Sequence, residues 1–375
     1  MQIIEKEKEK IKSKAREKYS RVFSMPQALV PDSSVVEQAS SQPTAEYAAS
    51  LAQEGAVVAD LTAGLGVNSF AFSETAEKVF AVEIDRTRAE ALAHNSKLLD
   101  RKVEVVNCDG VEWFRNNIEC LDVIFVDPAR RNADSRFFRI EDSSPDIDNI
   151  IGIIKNHSAA KEIKLIIKVS PLVDVTSVIN RFREIKAVHI IESRNEVKEL
   201  LLEMNFRPSG DVLKEREDVK IVCVRIFNDG RRVIDEYTHK EKVLNDRLAY
   251  CSSYEEISNG NFLYIPSPAA MKAAMFGTLI QRFPALKKMA PNTHLFTSAI
   301  LYPDFPGKIL KIKGFLGSGE LKRMKGGRYN VISRNHPAKA SELESQYKFK
   351  SSEKDYLIAC TIGKSKAMMT AMEVS

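Results

Sequence analysis

Between residues 44 and 228 the chain alternates short apolar runs with segments of helical period. The runs fall at 57–61, 78–83, 103–107, 121–127, 164–169, 187–191 and 220–227. Several are continuously apolar, the pattern of strands covered on both faces. Segments 87–99, 146–156 and 173–182 have the helical period; in the first, Ala89, Leu92, Ala93 and Leu98 recur on one face. Strands alternating with helices predict an α/β, doubly wound sheet. Residues 196–204 and a polar loop are read as the connection between the last two runs, compatible with a late antiparallel pair.

The flanks differ. Residues 5–24 alternate Glu and Lys, which predicts a solvated charged helix. Residues 25–43, with Pro26, Pro31 and Pro43, read as an irregular lead-in. After a polar stretch at 229–260, an apolar run at 262–265 meets Pro266-Ser267-Pro268. Ser267 is placed to cap a helix with Pro268 at its first position, running through Met271, Met275 and Leu279. From 308 the chain turns β-rich and basic, with Lys308, Lys311, Lys313, Lys322, Arg323, Lys325, Arg328 and Arg334.

The first run leads into Asp60-Leu61-Thr62-Ala63-Gly64-Leu65-Gly66, a strand, a glycine turn and the start of a helix. Gly64 and Gly66 permit a tight turn and a close ligand approach, with Ala63 beside them. The helix beginning near Asn68 is expected to point its amides at an anionic group. The next strand ends in Glu83, followed by Ile84, the third near Asp109-Gly110, and the fourth in Asp127-Pro128. In an open α/β sheet the carboxyl ends of the strands line the ligand crevice. Glu83 is expected on ribose hydroxyls, Asp109 and the Gly110 amide on an adenine ring, and Asp60 on an α-amino group. A dinucleotide also calls for an acid at the second strand end, but its fingerprint wants Gly or Ala where this chain has Ser69. Asp60 and Asp127-Pro128 favour S-adenosylmethionine. Asp127 then meets a methyl acceptor, Pro128 orients nearby carbonyls, Arg130 and Arg131 are candidates for phosphate, and Lys168 ends the fifth run on the same side.

Composition narrows the setting. The 375 residues are 44% hydrophobic and 29% charged, room for two or three globular domains. A net charge of +5 permits an anionic partner. Cys108, Cys120, Cys223, Cys251 and Cys360 are widely spaced, without metal-ligand or disulfide-framework spacing, and suit a reducing cytoplasm. No metal site and no transmembrane run are expected.

With these residues in view, 56–228 resembles the class I S-adenosylmethionine-dependent methyltransferases, whose Rossmann-like sheet has seven strands, the last antiparallel. The lead-in Glu37-Gln38-Ala39-Ser40-Ser41-Gln42-Pro43-Thr44-Ala45-Glu46-Tyr47 and Asp127-Pro128-Ala129-Arg130-Arg131 narrow the resemblance to bacterial methyltransferases with a THUMP-like C-terminal domain. Asn330-Val331-Ile332-Ser333-Arg334-Asn335-His336-Pro337 and Asp355-Tyr356-Leu357-Ile358-Ala359-Cys360 carry the THUMP-like part. The implied organisation is an N-terminal charged helix and lead-in at 1–43, a methyltransferase domain at 44–230, and small α+β modules, ferredoxin-like at 255–304 and THUMP-like at 305–375. The implied partner is structured RNA, tRNA or rRNA, and Gln38, Ser41 and Thr44 are implied to lie over cofactor or acceptor. Two departures bear on mechanism. Ala129 and Arg130 stand where amino-group methyltransferases carry Pro and an aromatic residue. Glu192-Ser193-Arg194-Asn195 stands where uracil C5 enzymes often carry a cysteine nucleophile. Direct displacement by a nitrogen or ribose oxygen remains. A methyltransferase of protein or small molecules, and a non-catalytic RNA-binding protein retaining cofactor affinity, are the alternatives.

Overall fold

The computed structural model describes residues 2–99, 101–130, 140, 143–157, 161–207 and 219–374. They form two compact units, Met1–Ile234 and Asp235–Ser375.

The first unit is built on β1 (Val57–Asp60), β2 (Lys78–Val82), β3 (Val103–Val106), β4 (Val123–Val126), β5 (Ile163–Val169), β6 (Ile185–Ser193), β7 (Glu196–Phe206) and β8 (Lys220–Ile226). β9 (Arg232–Thr238) closes the sheet edge, giving the order β3-β2-β1-β4-β5-β7-β6-β8-β9. β1 to β5 run parallel, each crossover returning through a helix. Helix starts are encoded locally. Asp85, Asp109, Asp146 and Asp174 each accept from amides in the first turn of the helix that follows, the preferred N-cap chemistry.

Two expectations need correction. Residues 196–204 are no connection: β7 is itself the antiparallel strand, inserted between β5 and β6. Lys220–Ile226 pairs parallel to β6 as an eighth strand outside the seven-stranded core. The Leu and Glu content of β7 suits a helix as well as a strand, and two of its acids, Glu199 and Glu203, are buried against basic groups. Glu203 sits 3.1 Å from Lys164 and 3.2 Å from the His189 ring, and Glu199 lies 3.8 Å from Lys168. The end of the N-terminal charge run is also less solvated than its charges imply. Ala15, Tyr19, Val22 and Phe23 are at most 1% exposed and join the core that includes Val35, Ala45 and Phe70. Ala15 lies in the helix Gln2–Lys18, Tyr19 is the extended break after it, and Val22 and Phe23 belong to a short second helix, Ser20–Phe23.

The second unit contains β10 (Phe262–Pro266), β11 (Lys287–Lys288), β12 (Phe296–Ser298), β13 (Gly307–Phe315), β14 (Asn330–Arg334), β15 (Asp355–Ile362) and β16 (Ser365–Glu373). They form one sheet, β11-β12-β10-β13-β16-β15-β14, antiparallel except for β14 against β15. The segments expected as ferredoxin-like and THUMP-like modules thus share a sheet through β10 and β13. Ser267 caps the helix Pro268–Ala273 as expected. That helix stops at Ala274, in the left-handed region at φ 54°, and a second helix, Phe276–Arg282, carries Leu279.

Candidate functional site

The loops at the C-terminal ends of β1 to β4 surround a cavity of about 700 Å³. Gly64 and Gly66 take φ of +52° and +89° in the first loop. A Cβ on Gly66 would stand 2.2 Å from Leu92 Cδ1, so the turn must be glycine on steric grounds too. A Cβ on Gly110 would fall 2.4 Å from the Leu61 carbonyl oxygen, which is how closely the loops after β1 and β3 approach. Glu83 ties loops together: Gly64 donates its amide to Oε2 and Asp85 to Oε1, both at 2.8 Å. Asp109 uses Oδ1 for two amides of its helix, those of Val111 and Glu112, at 2.9 Å.

Among the expected cofactor residues, Ala63, Gly64, Glu83, Ile84, Asp109 and Gly110 line this cavity, as do Gln38 and Asp127. Ile84 is 70% exposed, an apolar side chain left open beside the Glu83 carboxylate. Gly66 shapes the turn from behind. Asp60 also lies behind the loop, 1% exposed, where Ser69 Oγ donates to Oδ2 at 2.7 Å and the Thr62 amide to Oδ1 at 3.1 Å. This bond accounts for Ser69 where a dinucleotide site would have glycine or alanine. Burial pushes the Asp60 carboxyl up to about 7, against the pull of those two hydrogen bonds, and the nearby Asp127 and Glu83 charges add to the rise.

The acceptor side is built from β4 and β5. Asp127 donates its amide to Thr62 Oγ1 at 2.7 Å, and its Oδ2 accepts from Lys168 Nζ at 2.7 Å. Lys168 also donates to Ser40 Oγ at 3.0 Å. Burial pulls the Lys168 pKa down, but Asp127 and Glu199 more than offset it and the net direction is up, so the ammonium is held charged. Pro128 is buried behind Asp127. Thr44 and Lys168 line a second cavity of about 490 Å³, and Gln38, Ala39 and Ser40 line both. Arg131, with Phe137 and Phe138 as candidate stacking rings, lies outside the described residues, and Arg130 is described only as part of a two-residue strand, Ala129–Arg130.

Four polar contributors escaped the sequence reading. Ser40 sits beside Lys168, and Glu199 is buried within β7 near the same ammonium. Arg88 lines the first cavity and reaches Asp32 at 3.1 Å. Asn68 donates to Ser40 at 3.4 Å and leaves its buried Oδ1 without a partner among the described residues. Each lay in a segment already read, Ser40 in the lead-in, Asn68 at the start of the helix after the glycine turn, Arg88 in 87–99 and Glu199 in 196–204, but none was given a role at the site.

These groups fit an adenosyl amino-acid cofactor. The helix Val67–Phe72 begins at Gly66 with no side-chain cap, unlike the four Asp-capped helices, so its first amides suit a carboxylate. Asp109 Oδ2 and the remaining lone pairs of Glu83 suit an exocyclic amine and ribose hydroxyls. Among the described residues no cluster of three or more His, Cys, Asp or Glu side chains is placed to hold a metal. No described helix is long and apolar enough to cross a membrane.

A family model described as RNA cap guanine-N2 methyltransferase matches residues 55–130, and one described as a ferredoxin-like domain matches 262–306. No curated protein matches the chain. Among solved structures, a candidate methyltransferase from Porphyromonas gingivalis W83 aligns at a TM-score of 0.83 and 24% identity, over 98% of this chain and 89% of that one. M. capricolum TrmK, solved with S-adenosyl-homocysteine, aligns at 0.32 and 15% identity, over 43% of this chain and 67% of its own. M. jannaschii TYW2, solved with AdoMet, aligns at 0.30 and 15% identity, over 44% and 74%. The first unit has the class I S-adenosylmethionine-dependent methyltransferase fold, its strand-end loops suit S-adenosylmethionine as cofactor, and a ferredoxin-like domain lies in the second unit.

Proposed function

We propose that this chain transfers a methyl group from S-adenosylmethionine to a nucleotide of structured RNA, tRNA or rRNA, by direct in-line displacement in the cytoplasm. The observation that carries the reading is the Asp127–Lys168 pair, 2.7 Å apart at the ends of β4 and β5, in which Asp127 lines the cavity shared with Glu83 and Asp109 and Lys168 lines the second cavity. S-adenosylmethionine supplies an electrophilic methyl group; this chain's part is to position. Ala63, Gly64, Glu83, Ile84, Asp109 and Gly110 hold the cofactor, and Asp60 acts on its amino group from behind the loop. Asp127 has Oδ1 free among the described residues to accept from an amine or hydroxyl, aiming its lone pair and spreading the positive charge that develops on it. Lys168 fixes that carboxylate, Pro128 the adjacent backbone, and Gln38 and Thr44 the opposite wall. Arg130 and Arg131 are proposed on phosphate.

RNA as substrate is supported by the description of the family matched at 55–130 and by the THUMP-like resemblance at 305–375. Exposed Lys311, Lys313, Lys322, Arg323, Lys325, Arg328 and Arg334 add a basic surface. Lys308 is spent otherwise, donating to Tyr356 at 2.5 Å and to Glu373 at 3.0 Å. The matched family's name points to an exocyclic amine, whereas Ala129 and Arg130 lack the aromatic platform of amino-group enzymes, so the reading takes a nitrogen or ribose oxygen as acceptor. Calorimetry with S-adenosylmethionine and with NADH tests the cofactor, and transfer of labelled methyl to total RNA tests the acceptor. Binding of the methyl donor without transfer to RNA would move the reading to a binding protein or to another substrate.

A further inference from the structure

The second cavity has a chemistry of its own. Lys18, at the end of the N-terminal helix, faces it together with Arg194, Lys198 and Lys168. Two of the three acids that also line it are already engaged: Glu199 with Lys168 at 3.8 Å and Glu37 with Lys14 at 3.0 Å. Glu17, the third, is exposed. Lys198 is paired with Glu196 at 2.6 Å. Lys18 donates to the Ala39 carbonyl at 2.6 Å and meets no carboxylate among the described residues. Arg194 has no described partner at all. Burial lowers the Lys18 pKa, and repulsion from Lys168, Lys198 and Arg194 lowers it further against the opposing pull of Glu199, so these cations share one field that a single carboxylate does not cancel. A bound anion would relieve that repulsion.

The backbone adds an independent sign. Arg194 and Asn195 form the two-residue turn between Ser193 and Glu196, with φ of 53° and 60°. Such turns favour Asn, Asp or Gly at the first position, and arginine there is held in a conformation its Cβ disfavours. Strain of this kind persists where a side chain is needed. On the same cavity stands Phe227, an aromatic ring 39% exposed, with Arg231 5.1 Å from its centroid.

We propose that this cavity is a phosphate-binding subsite of the acceptor nucleotide, separate from the phosphate contact proposed for Arg130 and Arg131, with Arg194 and Lys18 as its phosphate ligands and Phe227 as a stacking wall for a base. The inference rests on the methyltransferase reading: Lys168 and Ser40 stand between this cavity and Asp127, so the subsite adjoins the acceptor carboxylate.

The test uses the full chain saturated with S-adenosylhomocysteine, which occupies the first cavity. The four ribonucleoside 5′-monophosphates and their nucleosides are titrated by ligand-observed NMR. At least one monophosphate should bind about tenfold tighter than its nucleoside, the gain expected of one charge-assisted contact set. Arg194→Asn should remove that advantage while S-adenosylhomocysteine affinity stays constant. Asparagine suits the turn, so the urea midpoint should not fall, which separates lost binding from misfolding. Arg194→Lys should keep part of the advantage. Equal affinity for nucleosides and monophosphates, or an unchanged monophosphate affinity in Arg194→Asn, overturns the subsite alone. Failure of S-adenosylhomocysteine to bind overturns the methyltransferase reading and the acceptor assignment with it.

Discussion

Asp60 offers a quantitative test of the cofactor loop. Its carboxyl is buried beneath that loop and titrates at about 7 in the folded chain, against an ordinary value of 3.8. Between those two values the folded chain binds a proton that the unfolded chain has released. The stability Asp60 confers is therefore fully present below pH 3.8, declines as pH rises, and is gone above about pH 7. The loss accumulates to about 4 kcal/mol, from 1.36 kcal/mol for each pH unit between the two values. Asp60→Asn keeps the shape and the acceptor for Thr62 but never ionises. It should match wild type below about pH 4, exceed it by roughly 1.6 kcal/mol at pH 5 and by up to about 4 kcal/mol at pH 8. The assay is urea unfolding of the apo chain at fixed ionic strength from pH 5 to 8, followed by fluorescence. Trp113 is the only tryptophan and packs 5.0 Å from the Phe80 ring, so it reports the first unit. The difference between wild type and variant cancels the other titrating groups. A difference that stays flat from pH 5 to 8 would refute the reasoning. The same charge should serve the cofactor, whose ammonium prefers an ionised Asp60, so wild-type affinity should rise by up to about tenfold from pH 6 to 8 and the variant should lose that slope.

Other variants test other parts. Gly64→Asp should abolish S-adenosylmethionine binding in calorimetry, because a side chain would enter a turn at φ +52° and a second carboxylate would approach Glu83. Asp127→Ala should leave cofactor affinity largely intact and lower turnover about 100-fold in a methyl-transfer assay; normal turnover would remove Asp127 from the acceptor site. Glu203→Ala should cost about 3 kcal/mol in urea unfolding by stranding His189 and Lys164. Although burial alone would raise the Glu203 pKa, His189 and Lys164 hold it at about 2. Its contribution should hold above pH 4.5 and fade as pH drops toward 2, where the variant and wild type converge.

Much of the first unit is written locally. The runs that become β1 to β4 end in or are followed by the acids a reader can see, of which Asp60 and Glu83 are buried, and Asp85, Asp109, Asp146 and Asp174 start helices through bonds to amides no more than three residues away. Gly64 and Gly66 announce a turn because only glycine tolerates it. All of this depends on near neighbours and on period, which a sequence displays. The strand β7 did not show itself, because whether Leu200–Leu202 lie in a helix or a strand depends on β5 and β6 reaching it from both sides, and Glu199 and Glu203 look solvated until Lys168 and Lys164 arrive. The N-terminal charge run likewise hides its buried residues until the core receives Tyr19 and Phe23.

The sequence by itself determined the alternation of strand and helix, the glycine turn and the acidic strand ends that suit S-adenosylmethionine. Tertiary structure alone decided that Asp60 stands behind the loop, that Asp127 meets Lys168 across 41 residues of chain, and that Lys18 and Arg194 face one cavity. The physical reason is range: caps and turns act through bonds between near neighbours, whereas burial, paired charge and cavities exist only once distant segments share a low-dielectric interior.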